Sequence, residues 1–229
     1  MPSIVRVIIP AFNEEGSITK VIDAIPSELV TEVIVANNNS TDRTALRAKE
    51  AGATVVDQPN PGYGNACLKG LQYIKENSLE TDIVVFMDGD YSDYPEEMSM
   101  LIDPILNEKM EMVIGSRALG QRERGSMTVP QQFGNWLATW LIQIIYRFRY
   151  TDLGPFRAIR YDALVALDMQ DQNYGWTVEM QLKAVKKKLR IKEVPVNYRQ
   201  RIGVSKISGT VKGVFMAGYK IIWTIFKHL

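Results

Sequence analysis

Two carboxylates stand one residue apart in Asp88-Gly89-Asp90, directly after the apolar run Ile83-Val84-Val85-Phe86-Met87. A strand ending there delivers both side chains to one cleft, where their like charges repel unless a cation lies between them. Hard divalent ions with oxygen ligands, Mg²⁺ or Mn²⁺, suit such a pair and typically bridge to phosphates. As a bare pattern the tripeptide equally fits an acidic turn that caps the next helix. A second cluster is basic. Arg199, Arg201 and Lys206 are spaced either to hold an anion, since Arg suits bidentate phosphate contacts, or to form a solvated face beside the segment 190–198. The single histidine, His228, is next to the last residue, and Cys67 is the single cysteine. A Ser-His-Asp triad, a Cys-His dyad, an intrachain disulfide and a multi-Cys zinc site are thereby set aside. Any chemistry must rest on carboxylates, Arg and Lys, hydroxyls, backbone or an oxygen-ligated metal.

The elements that must position these groups alternate. Residues 4–9, 32–36, 53–56, 82–87 and 110–114 read as short buried strands, with helices over 14–25, 41–51, 64–77 and 95–107 between them. This pace implies an α/β fold, Rossmann-like, with a mostly parallel sheet flanked by helices on both faces. Such sheets bind ligands beyond the carboxyl ends of their strands. Polar clusters fall there: Asn13-Glu14, the run from Asn37 to Asp42, Asp88 to Asp90, and Gly115-Ser116-Arg117. The second half is less regular. It reads as helices over 133–146, 162–167 and 177–187, a strand over 190–198, and an amphipathic helix over 209–229.

A formal net charge of +1 over 229 residues hides a split. Residues 1–114 carry 19 acidic and 8 basic side chains, a net of −11; residues 115–229 carry 7 and 19, a net of +12. The chain as a whole is not a nucleic-acid-coating protein, whereas its second half favours an anionic partner. No stretch reads as a secretory signal or a full membrane span. The mostly apolar run 133–146 is 14 residues long, short of the ~20 that a spanning helix needs.

In order along the chain stand Ile8-Ile9-Pro10-Ala11-Phe12-Asn13-Glu14-Glu15, Asn38-Asn39-Ser40-Thr41-Asp42-Arg43-Thr44, Gly62-Tyr63-Gly64-Asn65-Ala66, Phe86-Met87-Asp88-Gly89-Asp90 and Gly115-Ser116-Arg117. This set resembles the family 2 glycosyltransferases of the GT-A fold. The run from Asp152 to Arg157 and the stretch from Tyr198 to Lys206 resemble, within that family, polyprenyl-phosphate sugar transferases of the dolichyl-phosphate mannose synthase type. The resemblance covers about residues 4–206. It implies a GT-A domain over 1–206, with a nucleotide-sugar and metal half (1–114) and an acceptor half (115–206). An amphipathic C-terminal helix over 207–229 follows.

The resemblance also implies roles. Pro10, Phe12, Glu14, Asn37, Asn38, Gly64 and Asp88 fall at the nucleotide-sugar site, with Glu14 accepting from ribose hydroxyls. Asp88 and Asp90 fall at the metal, Mg²⁺ or Mn²⁺. Asp90, Arg117 and Arg201 form the expected catalytic set. Arg117, Arg199, Arg201, Ser205 and Lys206 fall at acceptor or donor phosphates. Two positions depart from the family pattern. Asn37-Asn38-Asn39 stands where Asp-Asp or Asp-Asn is usual, and an amide both donates and accepts, so a UDP-sugar and a GDP-sugar both stay open. Ser92 stands where the dolichyl-type enzymes often have Gln, leaving room for water in the metal shell. Asp152 and Glu179 have three open roles: to position sugar or acceptor, to act as base for a hydroxyl acceptor, or to neutralise Arg157 and Arg160.

The activity so implied is inverting transfer of a hexose from a nucleoside-diphosphate sugar to a polyprenyl phosphate at a cytoplasmic membrane face. A phosphate acceptor is already anionic and needs cationic guides rather than a general base. Transfer to a hydroxyl acceptor on a glycan or small molecule, and a non-catalytic nucleotide-sugar-binding subunit, are the alternatives. Phe133, Trp136, Leu137, Trp140, Leu141, Ile144 and Ile145 recur at helical spacing before Arg147 and Arg149. That stripe fits a peripheral membrane helix, a core helix or a homodimer seam. Lys183, Lys186, Lys187, Lys188, Arg190 and Lys192 fit an anionic lipid surface or a solvated face. For the tail helix, docking on the domain, dimerisation and lipid contact are all open.

Overall fold

The structure, a computed structural model, describes residues 3–203 and 211–229. Ser205 and Lys206, two of the expected anion ligands, lie outside the described residues.

Strand β1 (Val5–Ala11) is buried along nearly its whole length, because helices cover both faces of a central parallel strand. Its alternate side chains feed two cores. Val5, Val7 and Ile9 pack with Ile18 and Val21 of α1 (Ile18–Asp23) and with Met98 and Leu101 of α4 (Met98–Asn107). Ile8 packs on the other face with Cys67 and Ile74 of α3 (Tyr63–Glu76) and with Trp176 and Met180 of α7 (Trp176–Lys186). Each fully buried Val or Ile contributes roughly 1.5–3 kcal/mol, which is what holds strands only four to seven residues long.

The remaining strands are β2 (Glu32–Asn37), β3 (Thr54–Asp57), β4 (Ile83–Phe86), β5 (Met112–Ser116), β6 (Arg157–Arg160) and β7 (Ile191–Pro195). They lie in the order β3-β2-β1-β4-β6-β5-β7. All neighbours are parallel except β6, which runs antiparallel to both β4 and β5. The chain turns to opposite sides of β1 on reaching β2 and β4, so the switch point where ligands settle lies between β1 and β4.

The expected alternation of strands and helices is present, including α2 (Thr44–Glu50) and α6 (Tyr161–Leu167). Strand β6 was not expected. Arg157-Ala158-Ile159-Arg160 has charged ends and two apolar residues, too little for a period to register. It is a strand because β4 and β5 flank it, pairing Val85 and Val113 with Ala158 from either side. Arg157 itself is buried and donates to the carbonyls of Thr177, Leu153 and Gly154.

Helix α5 (Val129–Tyr146) starts on a capping box in which Thr128 and Gln131 satisfy each other's backbone N–H groups. Helix α8 (Val211–Lys227) packs on α5 and α7. Ile225 is fully buried in the second core, Tyr146 Oη donates to the Ile225 carbonyl at 2.7 Å, and Lys186 Nζ to the His228 carbonyl at 2.7 Å. Of the three fates open to the tail helix, docking on the domain is thus observed. No helix among the described residues is long and apolar enough to cross a membrane.

Candidate active site

The polar residues of the first two motifs sew together the loops after β1 and β2. Asn13 adopts a φ of 54°; its N–H donates to Ser40 Oγ at 3.0 Å and its Oδ1 accepts from the Thr41 N–H at 2.8 Å. The Glu14 N–H donates to Thr44 Oγ1 at 2.7 Å. Asn38 Nδ2 donates to the Asn60 carbonyl and its Oδ1 accepts from the Gly62 N–H, both at 2.8 Å, which fixes the 58–62 loop. Asn37 Nδ2 donates to Asp57 Oδ1 at 2.7 Å. Its side chain therefore ties β2 to the end of β3 and does not line the cavity.

That cavity, about 370 Å³, opens at the carboxyl edge between β1 and β4. Of the expected residues, Pro10, Phe12, Glu14, Asn38, Asp88, Asp90 and Arg201 line it. Asn39, of the 37–39 loop expected at the nucleoside, lines it too, and Tyr63, Asn173 and Tyr174 line it without having been expected.

The carboxylates sit in a dense turn. Asp90 Oδ1 accepts from the Ser92 N–H at 2.9 Å and from Ser92 Oγ at 2.5 Å, so Ser92 closes a turn on Asp90. Asp90 Oδ2 pairs with Arg201 Nη1 at 3.1 Å, and Arg201 Nη2 reaches Glu14 Oε1 at 3.1 Å. Asp88 Oδ1 accepts from Tyr63 Oη at 3.1 Å. Burial, reinforced by the charge of Asp90, pushes the Asp88 carboxyl up to about 6. Asp93 lies beneath them. Its Oδ2 accepts from the Asp88 N–H at 3.4 Å, its Oδ1 has no partner, and burial followed by the charges of Asp88 and Asp90 pushes its carboxyl well up. Sequence reasoning passed over Asp93, although its place five residues after Asp88 was a readable signal.

Several expected ligands are committed elsewhere. Arg199 is a clamp. Its Nε donates to the Tyr91 carbonyl at 2.8 Å, its Nη2 to the Asp93 carbonyl at 2.9 Å, and its guanidinium stacks on the Tyr91 and Tyr94 rings. The clamp holds Tyr91 at a φ of 65°, a conformation that costs a bulky residue about 1–3 kcal/mol. Arg199 lines no part of the cavity.

Arg117 and Asp152 are partners of each other. Nε–Oδ2 and Nη2–Oδ1 are both 2.7 Å, and the Arg117 N–H adds a third bond at 2.8 Å. Burial disfavours both charges, but the pair outweighs it, lifting Arg117 further and holding Asp152 below the usual carboxylate range. The charge of Arg117 also acts on Asp88 and Asp93 from behind the cavity. Among the described residues Asp152 forms no ion pair with Arg157, although its charge acts on that guanidinium, and Arg160 pairs with Asp162. Glu179 is buried, accepts from the Gln170 and Asp171 N–H groups, and pairs with Lys183 Nζ at 2.8 Å. It anchors a loop rather than a sugar.

Gly64 also has a different reason. A Cβ there would meet the Asp171 carbonyl oxygen at 2.0 Å, so the glycine admits a neighbouring loop, not a ligand. Gly62, with a φ of 141°, does line the cavity.

The geometry so far is an acid-lined cavity at the switch point of a mostly parallel sheet. The sequence pattern of glycosyl transferase family 2 matches residues 6–166. The chain belongs to glycosyl transferase family 2. It is 32% identical to an uncharacterized glycosyltransferase of Mycobacterium tuberculosis, over 93% of this chain and 94% of that protein. It is 29% identical to the undecaprenyl-phosphate mannosyltransferase of Micrococcus luteus, over 91% and 89%. The likeness to polyprenyl-phosphate glycosyltransferases read from the motifs is therefore borne out. Among solved structures, glucosyl-3-phosphoglycerate synthase from Mycobacterium tuberculosis, in complex with Mn²⁺, uridine-diphosphate and glucosyl-3-phosphoglycerate, matches with a TM-score of 0.78 at 25% identity. The match covers 99% of this chain and 80% of that one, and the expected GT-A architecture stands.

Proposed function

We propose that this family 2 glycosyltransferase moves a hexose from a nucleoside-diphosphate sugar to a polyprenyl phosphate, with inversion at the anomeric carbon. One observation carries the choice of acceptor: Asp152 and Glu179, the acids read from the sequence as possible bases for a hydroxyl acceptor, are already committed. Asp152 is bound to Arg117, Glu179 to a loop and Lys183, and Glu14 and Asp90 to Arg201. An acceptor that arrives as an anion needs no base.

The donor half fits a UDP- or GDP-sugar. Phe12 presents a ring that is 41% exposed in the cavity wall, a flat apolar face for a base. Glu14 offers a carboxylate for ribose hydroxyls, and Asn38 and Asn39 offer amides. The donor set also fits a divalent cation. Burial raises Asp88, a guanidinium balances Asp90, and a cation relieves both. Asp88 and Asp90 would hold Mg²⁺ or Mn²⁺, which supplies charge stabilisation to a diphosphate leaving group when bound. Arg201 reaches one of these two carboxylates, Asp90, and is the chain's own cation for phosphate at this edge. The acceptor oxyanion attacks the anomeric carbon opposite the diphosphate. The new C–O bond forms as the bond to the diphosphate breaks, and the electron pair leaves on the diphosphate oxygen. No proton moves.

A membrane surface is the natural source of such an acceptor. Phe133, Trp136, Trp140 and Ile144 of α5 and Phe215, Tyr219, Trp223 and Phe226 of the adjoining α8 are exposed. Tyr146 at the end of α5 bonds Ile225 in the last turn of α8 and Lys186 at the end of α7 bonds His228 just after it, so exposed Arg147, Arg149, Lys187 and Lys188 gather at one end of this face. Aromatic side chains rimmed by cations suit an anionic lipid surface, here the cytoplasmic one.

Transfer to a hydroxyl is the second reading, favoured by the likeness to glucosyl-3-phosphoglycerate synthase. The test is to incubate the chain with UDP-glucose, UDP-N-acetylglucosamine or GDP-mannose and Mn²⁺, offering undecaprenyl phosphate or 3-phosphoglycerate, and to identify products by mass spectrometry. Glycosylated lipid phosphate supports the first reading. Product on the small acceptor alone replaces it with the second. Turnover of no donor sinks both.

A further inference from the structure

The loop 170–175 is wedged between two elements. On one side is the first turn of α3. The Asn65 N–H donates to the Gln172 carbonyl at 2.9 Å, and a Cβ on Gly62 or Gly64 would come within 2.2 Å of the Gln172 and 2.0 Å of the Asp171 carbonyl oxygens. On the other side is α8, where a Cβ on Gly175 would meet Thr224 Oγ1 at 2.6 Å. Across the loop runs a polar strut. Asp171 Oδ1 accepts from the Asn173 N–H at 2.8 Å and the Gly175 N–H at 3.1 Å, while Asp171 Oδ2 pairs with Lys220 Nζ of α8 at 2.9 Å. The Asp171 side chain is only 7% exposed, so this is not one of the solvated surface pairs that contribute little. Asn173 and Tyr174, held between those two N–H groups, line the cavity.

We infer that Asp171 and Lys220 are positioning residues for the donor cavity: through them the docked position of α8 sets the Asn173–Tyr174 wall and with it donor affinity. This rests on the reading of the cavity as the donor site. The physical reason is the lack of slack. Neither side of the loop has room for a Cβ at Gly62, Gly64 or Gly175, and packed protein transmits displacement rather than absorbing it. A shift of α8 therefore moves the loop. The outer face of the same helix carries Phe215, Tyr219, Trp223 and Phe226, so engagement of that face by anionic lipid is felt at the cavity.

Three variants of the full chain test this: Lys220→Met, Lys220→Arg, and Lys227→Met as control. Lys227 also lies over the Trp223 ring, at 5.1 Å, but makes no contact with Asp171. Two readouts are taken, amide hydrogen exchange of segment 171–175 and the dissociation constant for UDP-glucose with Mn²⁺ (GDP-mannose if that is the donor bound). Lys220→Met is expected to speed exchange at Asn173 and Gly175 and to weaken donor binding about fivefold, with kcat changed less than KM. Lys220→Arg restores both, and Lys227→Met behaves as the unaltered chain. Unchanged exchange in Lys220→Met overturns the strut, and faster exchange with unchanged donor affinity overturns its link to the cavity. If the unaltered chain binds neither donor, the donor-site reading fails and the inference falls with its link to the cavity; exchange then still reports on the strut.

Discussion

Arg201 Nη1 lies 3.1 Å from Asp90 Oδ2, and the same guanidinium reaches Glu14 Oε1 at 3.1 Å. One cation from the basic half thus neutralises a carboxylate from each of two loops of the acidic half. The strands of chain around it reinforce the crossing: the Arg199 N–H donates to the Ser92 carbonyl and the Ile202 N–H to the Asp90 carbonyl. On the proposed function, a divalent ion taking Asp90 would have to compete with Arg201, and the displaced guanidinium would stay close to the donor phosphates.

Arg201→Met leaves Glu14 and Asp90 without this shared cation. Stability without metal is expected to fall by about 1–3 kcal/mol. Transfer falls by about 100-fold, the scale of losing one charged group from a phosphate site. Because the competitor is gone, Mn²⁺ raises the Tm of the variant more than that of the unaltered chain. Equal Mn²⁺ shifts in a thermal melt would mean that Arg201 and metal do not share Asp90.

Asp88→Asn keeps the shape and the bond from Tyr63 while removing a charge that burial and Asp90 disfavour. The metal-free variant at pH 8 should be as stable as the unaltered chain, or more so by about 1–2 kcal/mol. Its Mn²⁺-induced Tm shift should vanish and transfer should drop by about 100-fold or more. A preserved Mn²⁺ shift would remove Asp88 from the metal site.

The same carboxyl dictates a pH dependence. In the folded chain it is raised from 3.8 to about 6, so the native state binds this proton more tightly than the unfolded state. Stability of the metal-free protein from this group is therefore present below pH 3.8 and lost as pH rises through about 6. Metal requires the ionised form. Mn²⁺ affinity measured by calorimetry should strengthen about tenfold per unit up to pH 6 and level off between 7 and 8. A flat profile from pH 5 upward would show that no such proton is displaced.

The Arg117–Asp152 pair separates the two acceptor readings. Asp152→Asn leaves a buried guanidinium without its counter-ion, and stability should fall by about 3–5 kcal/mol. If Asp152 were the base, transfer per folded molecule would also fall by about 100-fold or more. The pairing instead predicts that transfer per folded molecule, determined by combining a melt with initial rates at low temperature, stays within about tenfold of the unaltered chain. That margin is the smallest loss, about 100-fold, expected for a general base, less a factor of ten.

What was legible in the sequence was local. Buried strands of one register and polar residues at their carboxyl ends repeat within a few positions, so β1, β2, β4 and the Asp88–Asp90 turn could be read directly. Asp93 was equally readable and was missed. The misassigned partners were all set by tertiary contacts. Nothing near Arg199 announces that Tyr91 and Tyr94, over a hundred residues earlier, will sandwich it, and Arg117 and Asp152 meet across 35 positions. Asn173 and Tyr174 reach the cavity only because Gly62 and Gly64 let their loop close on α3. Residue types told which chemistry was available; long-range packing decided which side chains were still free to do it.

The α5–α8 face makes the remaining prediction. Trp136 and Trp140 stack at 6.2 Å on the outer side of α5 and are 57% and 46% exposed, while Trp223 of α8 is 41% exposed. Burying such rings in a lipid interface contributes about 1–3 kcal/mol each, and each nearby Lys or Arg adds about 1 kcal/mol on an anionic surface. Trp136→Ser with Trp140→Ser should therefore cut co-sedimentation with vesicles containing anionic phospholipid at least tenfold. Arg147→Gln with Arg149→Gln should cut it less, and only at low salt, because that term is screened. Neither pair touches the cavity, so Mn²⁺-dependent binding of the soluble donor should be unchanged in both. If the tryptophan pair instead alters sedimentation velocity of the free chain and leaves vesicle binding intact, the face is a homodimer seam rather than a lipid contact.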